Sequence, residues 1–366
     1  MKREGCASVP VSLIVQSLTC AGRAVLLWDM KDIRDYDLTA CNTFGIKARC
    51  RRYIEAGSVA EAQSLALSLR ASDRPLLVIG GGSNLLFTGD FPGTVVHPAI
   101  KGVTSEAFGY GILLCCGSGE KWDDVVRLCV SRGWHGAENL SGIPGDVGAT
   151  AVQNIGAYGA EAKDIIYNIE AVEVATGRLC NIAPQDCRYA YRHSRFKDEW
   201  NGMYIITRVT YRLSTAYVPR LDYGNLRSVL SQRGIAKPTA AQTREAVLDI
   251  RAAKLPDPKE EGNAGSFFMN PVVDRDKYMS LAASHPGMPH YTMEDGREKI
   301  PAGWLIERCG WKGRALGRAA VHDKQALVLV NKGGATGVEV LRLCDAVRED
   351  VRRSFGISLQ PEVNII

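Results

Sequence analysis

The chain of 366 residues has 11 cysteines and no Cys-x-x-Cys pair, and its six histidines stand apart from one another. That spacing excludes the usual zinc ligand sets, so no metal is expected. It also argues against a disulfide framework and for a reducing cytoplasm. No basic stripe interleaved with aromatics accompanies the net charge of +5. Nucleic acid is therefore disfavoured as a partner, while small anionic ligands fit the balance. There is no internal repeat and no low-complexity tract. An apolar run long enough to cross a bilayer is missing too, so no membrane insertion is expected. The nearest approach, "VPVSLIVQSLTCAGRAVLLW" within residues 1–29, is diluted by Gln16, Ser17 and Thr19 and broken by Arg23. Residues 1–29 read as an N-terminal extension, disordered or spurious, with Met30 a plausible real start.

What remains is ordinary globular material, 46% hydrophobic and 23% charged, of a length that suits two or three domains. "SVAEAQSLALSLRAS" (Ser58–Ser72) reads as a helix opened by a Ser58/Glu61 capping box. Pro75–Ile79 reads as a buried strand and Gly109–Gly119 as another. The helix after it places Trp122, Val125, Val126 and Cys129 on one side and ends at Gly133. Ala171–Ile182 reads as a hairpin turning at Thr176-Gly177. "MYIITRVTYRLS" alternates, with Ile205, Thr207, Val209, Tyr211 and Leu213 on one face. Arg244 to Ala253 looks helical, Lys254–Gly265 reads as a loop at a boundary, and "QALVLVN" as a strand. A long helix then runs to Phe355 and stops at Gly356. Helices and strands mix without strict alternation, so the fold class is α+β rather than doubly wound.

"IGGGSNLL" (Ile79–Leu86) sets three glycines at the end of a strand. Glycine bares the backbone and admits positive φ, so Gly80, Gly81 and Gly82 can turn their N–H groups toward phosphate oxygens, with Ser83 and Asn84 adding donors. The dinucleotide fingerprint G-x-G-x-x-G would need glycine where Leu85 stands, and the Gly-Lys-Ser/Thr of a P-loop is absent. A tight turn at a strand end is the plain alternative. A second stretch, Ser141–Glu161, carries Gly142, Gly145, Gly148, Gly156 and Gly159 and almost no charge apart from Asp146 and Glu161. Its backbone can approach a flat aromatic ligand, with Gln153, Asn154 and Tyr158 as polar contacts. The plain alternative here is a loop-rich corner of a core.

Seven motifs now fall in order: "NTFGI" (Asn42–Ile46), "GGGSN", "SGIPGDVGA", "QNIGAYG", "YRHSRFK" (Tyr191–Lys197), "GNAGSFFMNP" (Gly262–Pro271) and the terminal "PEV" (Pro361–Val363). Each is weak alone. Together, from about Tyr36 to the C-terminus, they resemble the UDP-N-acetylenolpyruvoylglucosamine reductases of peptidoglycan precursor synthesis, in their longer form with a mobile tyrosine loop. The resemblance implies three domains. Two form an FAD-binding unit of the vanillyl-alcohol-oxidase (PCMH) type, residues 30–97 and 98–237, the latter with the tyrosine loop. A smaller α+β substrate-binding domain with the C-terminal tail takes residues 238–366. It also implies bound FAD, NADPH as hydride donor, a UDP-sugar substrate, alternation of the two substrates in one cleft, and a cytoplasmic monomer. Gly80 to Asn84 would cradle the FAD pyrophosphate. Ser141, Gly142, Ile143, Pro144, Gly145, Gly148, Ala149, Gln153, Asn154, Ile155, Gly156, Tyr158 and Ile206 would line the rest of the cofactor.

The implied reaction carries hydride from NADPH through the flavin to C3 of a vinyl ether that bears a carboxylate. Negative charge builds on C2 and the carboxylate, and C2 is then protonated. Preorganised stabilisation of such charge is worth about 3–4 kcal/mol per donor, and a positioned acid about 10²–10⁴-fold. Arg188, Arg192 and Arg195 recur at helical spacing, which by itself suggests one solvated basic face. The resemblance singles out Arg192 to polarise the carboxylate, with Tyr191 as a substrate contact, and leaves Arg188, Arg195 and Lys197 to the surface. Ser266, a turn serine on sequence alone, becomes the proton donor to C2. Asn270 becomes a substrate contact. Glu362, four residues from the C-terminus, joins the arginine at the reacting carboxylate, and flanking Val363, Ile365 and Ile366 suggest a packed tail. Asn364 stands where many relatives carry a basic residue. Tyr223 would lie over the substrate diphosphate, and Lys254 and Gln325 match substrate- or nucleotide-contacting positions, although Gln325 also suits a strand start. His322 reads as structural. Two other readings stay open: another FAD-dependent oxidase or dehydrogenase of the same superfamily, and a flavin-binding module without catalysis.

Overall fold

Alternation decides the longest strand. In Tyr204–Ser214 every second side chain, from Ile205 to Leu213, is buried, as a pleated backbone with one covered face requires. The computed structural model describes residues 30–366, so the expected N-terminal extension lies outside the described residues. Tyr204–Ser214 is central in an antiparallel sheet with the spatial order Leu179–Ile182, Ile166–Glu173, Tyr204–Ser214, Gly111–Gly117, Val103–Phe108. The hairpin turn falls at Gly177, which has positive φ. The strand Val103–Phe108, exposed along its whole length, has no buried face and hence no alternation to reveal it. Trp122–Arg132 caps this sheet through Trp122, Val125, Val126 and Cys129, and Gly133 closes it in the left-handed conformation.

A second sheet sets Lys31–Asp37 antiparallel to Arg49–Ala56, followed by Phe91–Pro98 and Leu76–Val78 in parallel. The helix Val59–Ser68 is shorter than expected. Ser58 accepts the Glu61 N–H at 3.2 Å, while the Glu61 carboxylate reaches back to Gly57 rather than to Ser58. Its Ala62 and Leu65 pack among Ile54 and Val96 of this sheet and Val172 and Ile205 of the other. The helix thus locks the two sheets, and each fully buried leucine or isoleucine contributes about 1.5–3 kcal/mol.

A third, antiparallel sheet runs Gly262–Ser266, Val328–Asn331, Ala319–Val321, Ala315–Leu316. Against it lies the helix Gly337–Phe355, which buries Val340, Leu343, Val347 and Val351 and stops at Gly356. Two expectations are corrected here. The stretch expected to be all loop enters this sheet at Gly262, and the strand expected from Gln325 starts only at Val328. In both, long-range pairing rather than local composition decides. The helix expected over Arg244–Ala253 extends from Ala240 to Lys254 behind a Thr239/Gln242 capping box.

Candidate active site

The strand Leu76–Val78 delivers the glycine triplet into a cleft of about 190 Å³, lined by Gly80 to Asn84, Gly148, Ala149, Gln153 and Ile206. Its backbone is bare for a reason. Gly82 has φ +65°, and a Cβ there would overlap the Cys41 carbonyl. A Cβ on Gly81 would come within 3.3 Å of Gly145 Cα, and one on Gly145 within 2.9 Å of Ser83 Oγ. The two glycine-rich segments therefore pack backbone to backbone, tied by Ser83 Oγ donating to Pro144 O at 3.0 Å. Gly148 opens the short helix Val147–Gln153 against Ser118. Ser83 also lines a second cleft of about 530 Å³, shared with Gly142, Pro144, Arg251, Gly265 and His322. One extended ligand centred on Ser83 can reach into both.

Gln153 Nε2 is buried on the first cleft with no hydrogen-bond partner among the described residues. An orphaned donor beside side-chain-free amides fits a dinucleotide such as FAD. Other expected contacts turn inward. Ser141 Oγ donates to Glu138 O. Asn154 spends its amide on Glu161, Ala190 and the Lys163 N–H. Ile143 and Ile155 pack on the core of the five-stranded sheet. Tyr158, at φ 47°, packs beside Leu221 and Leu226. Gly156 presents its carbonyl to the Arg192 guanidinium.

Arg192 does not share a helical face with Arg188 and Arg195. Arg188 and Arg192 both adopt positive φ, and Arg192 lies inside a tight turn that bridges Ala190 and His193. Arg188 and Arg195 point outward and pair with Glu199 at 2.7 Å. The strained turn sends Arg192 inward, where its Nε meets Glu362 Oε1 at 2.9 Å. Burial pushes the Glu362 carboxyl up, and the nearby cations of Arg192 and then Lys197 hold it down. Gln153 stands close enough to the carboxyl to favour its ionised form as well, although the geometry gives its Nε2 no hydrogen-bond partner among the described residues. Lys197, expected at the surface, lines the first cleft instead and is pushed down by burial.

Glu362 is fixed through its backbone. Its N–H donates to Phe267 O at 2.8 Å, next to Ser266, and its carbonyl accepts from Asn84 Nδ2 at 3.2 Å. Asn364–Ile365 then pairs in parallel with Leu85–Leu86, and Asn364 Nδ2 donates to Asn84 O. The glycine loop, the Ser266 strand and the tail thus meet at one place. The tail is packed through Val363, while Ile365 stays exposed.

Asn270 Nδ2 lies 3.4 Å from Tyr191 OH, and Asn270 Oδ1 accepts the Ala302 N–H. Gln325 Oε1 lies 3.1 Å from where a Cβ on Gly303 would be, beside that contact. Tyr223 stacks on Tyr291 at 5.3 Å, and Lys299 Nζ sits 5.1 Å from the Tyr191 ring and 5.7 Å from each of the other two. Burial pushes the Tyr223 hydroxyl up to about 12 and pushes Lys299 down. Lys254 is exposed at its helix end and lines neither cleft. His322 is buried on the second cleft. Sequence reasoning missed Lys197, Arg251, Tyr291 and Lys299. The last two carry no local signal, whereas Arg251, which donates Nε to Gly142 O at 3.1 Å, lies within the predicted helix beside the boundary. Among the described residues no group of acids, histidines and cysteines is placed to hold a metal, and no helix is long and apolar enough to cross a membrane.

A glycine-lined cleft between the first two sheets, with an ion pair and the Ser266 strand at its end, suits an FAD-containing oxidoreductase, and the comparisons with known proteins show that class. Residues 50–183 match the model of an FAD binding domain, and residues 257–366 match that of the UDP-N-acetylenolpyruvoylglucosamine reductase C-terminal domain. The chain is 50% identical over 333 residues to the UDP-N-acetylenolpyruvoylglucosamine reductase of Bacteroides fragilis, covering 90% of this chain and 99% of that one. It is 48% identical over 334 residues to that of Burkholderia multivorans, covering 90% and 95%. The crystal structure of UDP-N-acetylenolpyruvylglucosamine reductase from Thermus caldophilus superposes with a TM-score of 0.61 at 21% identity, over 92% of this chain and 98% of that one, and so shares the fold. The chain belongs to the UDP-N-acetylenolpyruvoylglucosamine reductase family.

Proposed function

We propose that this protein reduces the enolpyruvyl group of UDP-N-acetylglucosamine enolpyruvate to UDP-N-acetylmuramate, a step in peptidoglycan precursor synthesis, with FAD as resident cofactor and NADPH as hydride source. The carrying observation is the inward Arg192–Glu362 pair, whose glutamate bonds through its backbone to Phe267, the residue after Ser266, and to Asn84 of the glycine loop. Bound FAD supplies hydride transfer, from NADPH and then to the substrate's C3. Arg192 binds the substrate carboxylate and stabilises the charge that develops there. Arg192 and Lys197 against Glu362 leave one net positive charge, which an incoming carboxylate neutralises. Glu362 orients the guanidinium. Ser266 delivers the proton to C2, so that hydride at C3 and proton at C2 saturate the double bond.

Tyr191, Tyr223, Asn270 and Gln325 hold the sugar nucleotide, and Gly80–Asn84 with Gly142, Pro144, Gly145, Gly148, Ala149, Gln153 and Ile206 hold the FAD. The three proposed units, 30–97, 98–237 and 238–366, are supported by one principal sheet falling almost wholly within each. The same reading makes the protein a cytoplasmic monomer, which light scattering of the native protein checks. The deciding experiment is NADPH oxidation by the purified flavoprotein, expected only when the enolpyruvyl sugar nucleotide is present. Reduction of a different acceptor would favour another oxidoreductase of the superfamily, and bound flavin without turnover would leave a binding module.

A further inference from the structure

Asp146 is the only charge between Ser141 and Ala160, and the mechanism does not use it. Its carboxylate is 2% exposed and lies directly behind the glycine triplet. A Cβ on Gly80 would sit 3.4 Å from Asp146 Oδ2, and one on Gly81 3.4 Å from Oδ1. Lys121 Nζ donates to Oδ1 at 2.7 Å, and His97 Nε2 lies 3.3 Å from Oδ2. On its other side His97 Nδ1 faces Glu55 Oε2 at 3.4 Å and Tyr53 OH at 3.2 Å. Lys31 and Cys41 lie beyond, beside Glu55 and Tyr53. Pro98, next to His97, lines the first cleft. The imidazole therefore bridges two carboxylates immediately behind the amides that face the cleft.

The carboxylates of Asp146 and Glu55 are matched by the ammonium groups of Lys121 and Lys31, so the cluster carries no net charge when the imidazole is neutral and +1 when it is protonated. Burial pushes the Asp146 carboxyl up, but hydrogen bonds from His97 and Lys121 more than offset this and keep it ionised. The buried Asp146 carboxylate, nearest of these groups to the glycine amides, works against an anion there, and histidine is the side chain suited to offset it near neutral pH.

We propose that His97 and Asp146 are positioning residues of the cofactor site: when the pyrophosphate settles on Gly80–Gly82, His97 takes a proton from solvent and offsets the Asp146 carboxylate directly behind the amides. The inference rests on the reading that Gly80–Asn84 holds the FAD pyrophosphate. Proton uptake on binding makes affinity highest at low pH, and it falls as pH rises until the imidazole is neutral in both states. A shift of one pKa unit corresponds to about tenfold in affinity.

The test dilutes the holoenzyme at a series of pH values from about 5.5 to about 8.5, spanning the range in which histidine changes charge, and measures released FAD after ultrafiltration. The wild-type Kd is expected to rise with pH by up to about tenfold in all, the effect of one linked pKa unit. His97→Gln is expected to flatten the profile. Asp146→Asn flattens it too, and binds more tightly than wild type at the alkaline end. An unchanged pH slope in His97→Gln, or a pH-independent weakening in both variants, overturns the inference. Phosphorus NMR of the bound FAD separates this from the underlying reading. Pyrophosphate resonances that ignore both pH and His97→Gln, while the Kd slope responds, would refute the placement of the pyrophosphate. Resonances that respond while the slope persists would leave that placement intact and refute the proton uptake.

Discussion

Replacing Arg192 by methionine keeps the length and apolar stem of the side chain and removes its charge. Two polar contacts vanish, the 2.9 Å contact with Glu362 and the donation to the Gly156 carbonyl, together with the guanidinium's place 5.1 Å from the Tyr191 ring. Hydrogen bonds to charged groups contribute about 1.5–3 kcal/mol each. Glu362, still buried and now facing Lys197 alone among the cations, relieves part of that loss by taking up a proton more readily. The fold should therefore lose about 2–3 kcal/mol, within the stability of an ordinary domain. The chemical loss is larger. One preorganised donor aimed at developing charge is worth about 3–4 kcal/mol, or about 10²–10³-fold. Stopped-flow measurement of the two half-reactions separates these effects. Flavin reduction by NADPH should stay within a few-fold of wild type, and reoxidation by the enolpyruvyl substrate should slow by about 10²–10³-fold. Equal loss in both half-reactions would mean that Arg192 merely supports the fold, and no loss in either would remove it from the chemistry.

Ser266→Ala should likewise spare flavin reduction and slow substrate reduction by about 10²–10⁴-fold; reoxidation at the wild-type rate would show that another group delivers the proton. Glu362 has a carboxyl raised by burial, so its contribution to stability is fully present below the unfolded-state pKa and is lost as pH rises through the folded value. Thermal melts of Glu362→Gln across pH should accordingly lack that loss and gain on wild type as pH rises; parallel profiles would contradict it. Gly82→Ala sets a methyl group against the Cys41 carbonyl at a φ that costs about 1–3 kcal/mol for a residue with a side chain. The purified variant should carry markedly less flavin per protein by absorbance, and full flavin content would argue against the loop as cofactor cradle.

Periodic segments were legible because local sequence determines their covered face. Tyr204–Ser214 and Trp122–Arg132 each bury the residues their spacing marks, and the last helix ends at Phe355 before Gly356 as read. Segments decided by distant partners were not. Val103–Phe108 shows no buried face, and Gly262–Ser266 looks like loop until Val328–Asn331 lies beside it. The candidate site divides in the same way. Arg192 and Glu362 were singled out through motif resemblance, whereas the bare spacing of three arginines suggested a solvated face. The left-handed backbone at Arg188 and Arg192 breaks that spacing and turns one arginine inward. Lys197 reads as a surface residue and Lys299 goes unnoticed because what makes them unusual, burial beside other charges or rings, arises only when remote segments converge.

The bond from Asn84 to Glu362 spans 278 residues. At about 5–20 residues per second of synthesis, the glycine loop leaves the ribosome on the order of tens of seconds before the segment that braces it. A nascent chain is thus unable to brace its glycine loop until Glu362 has emerged, so the loop is held in its final shape long after it has itself been made.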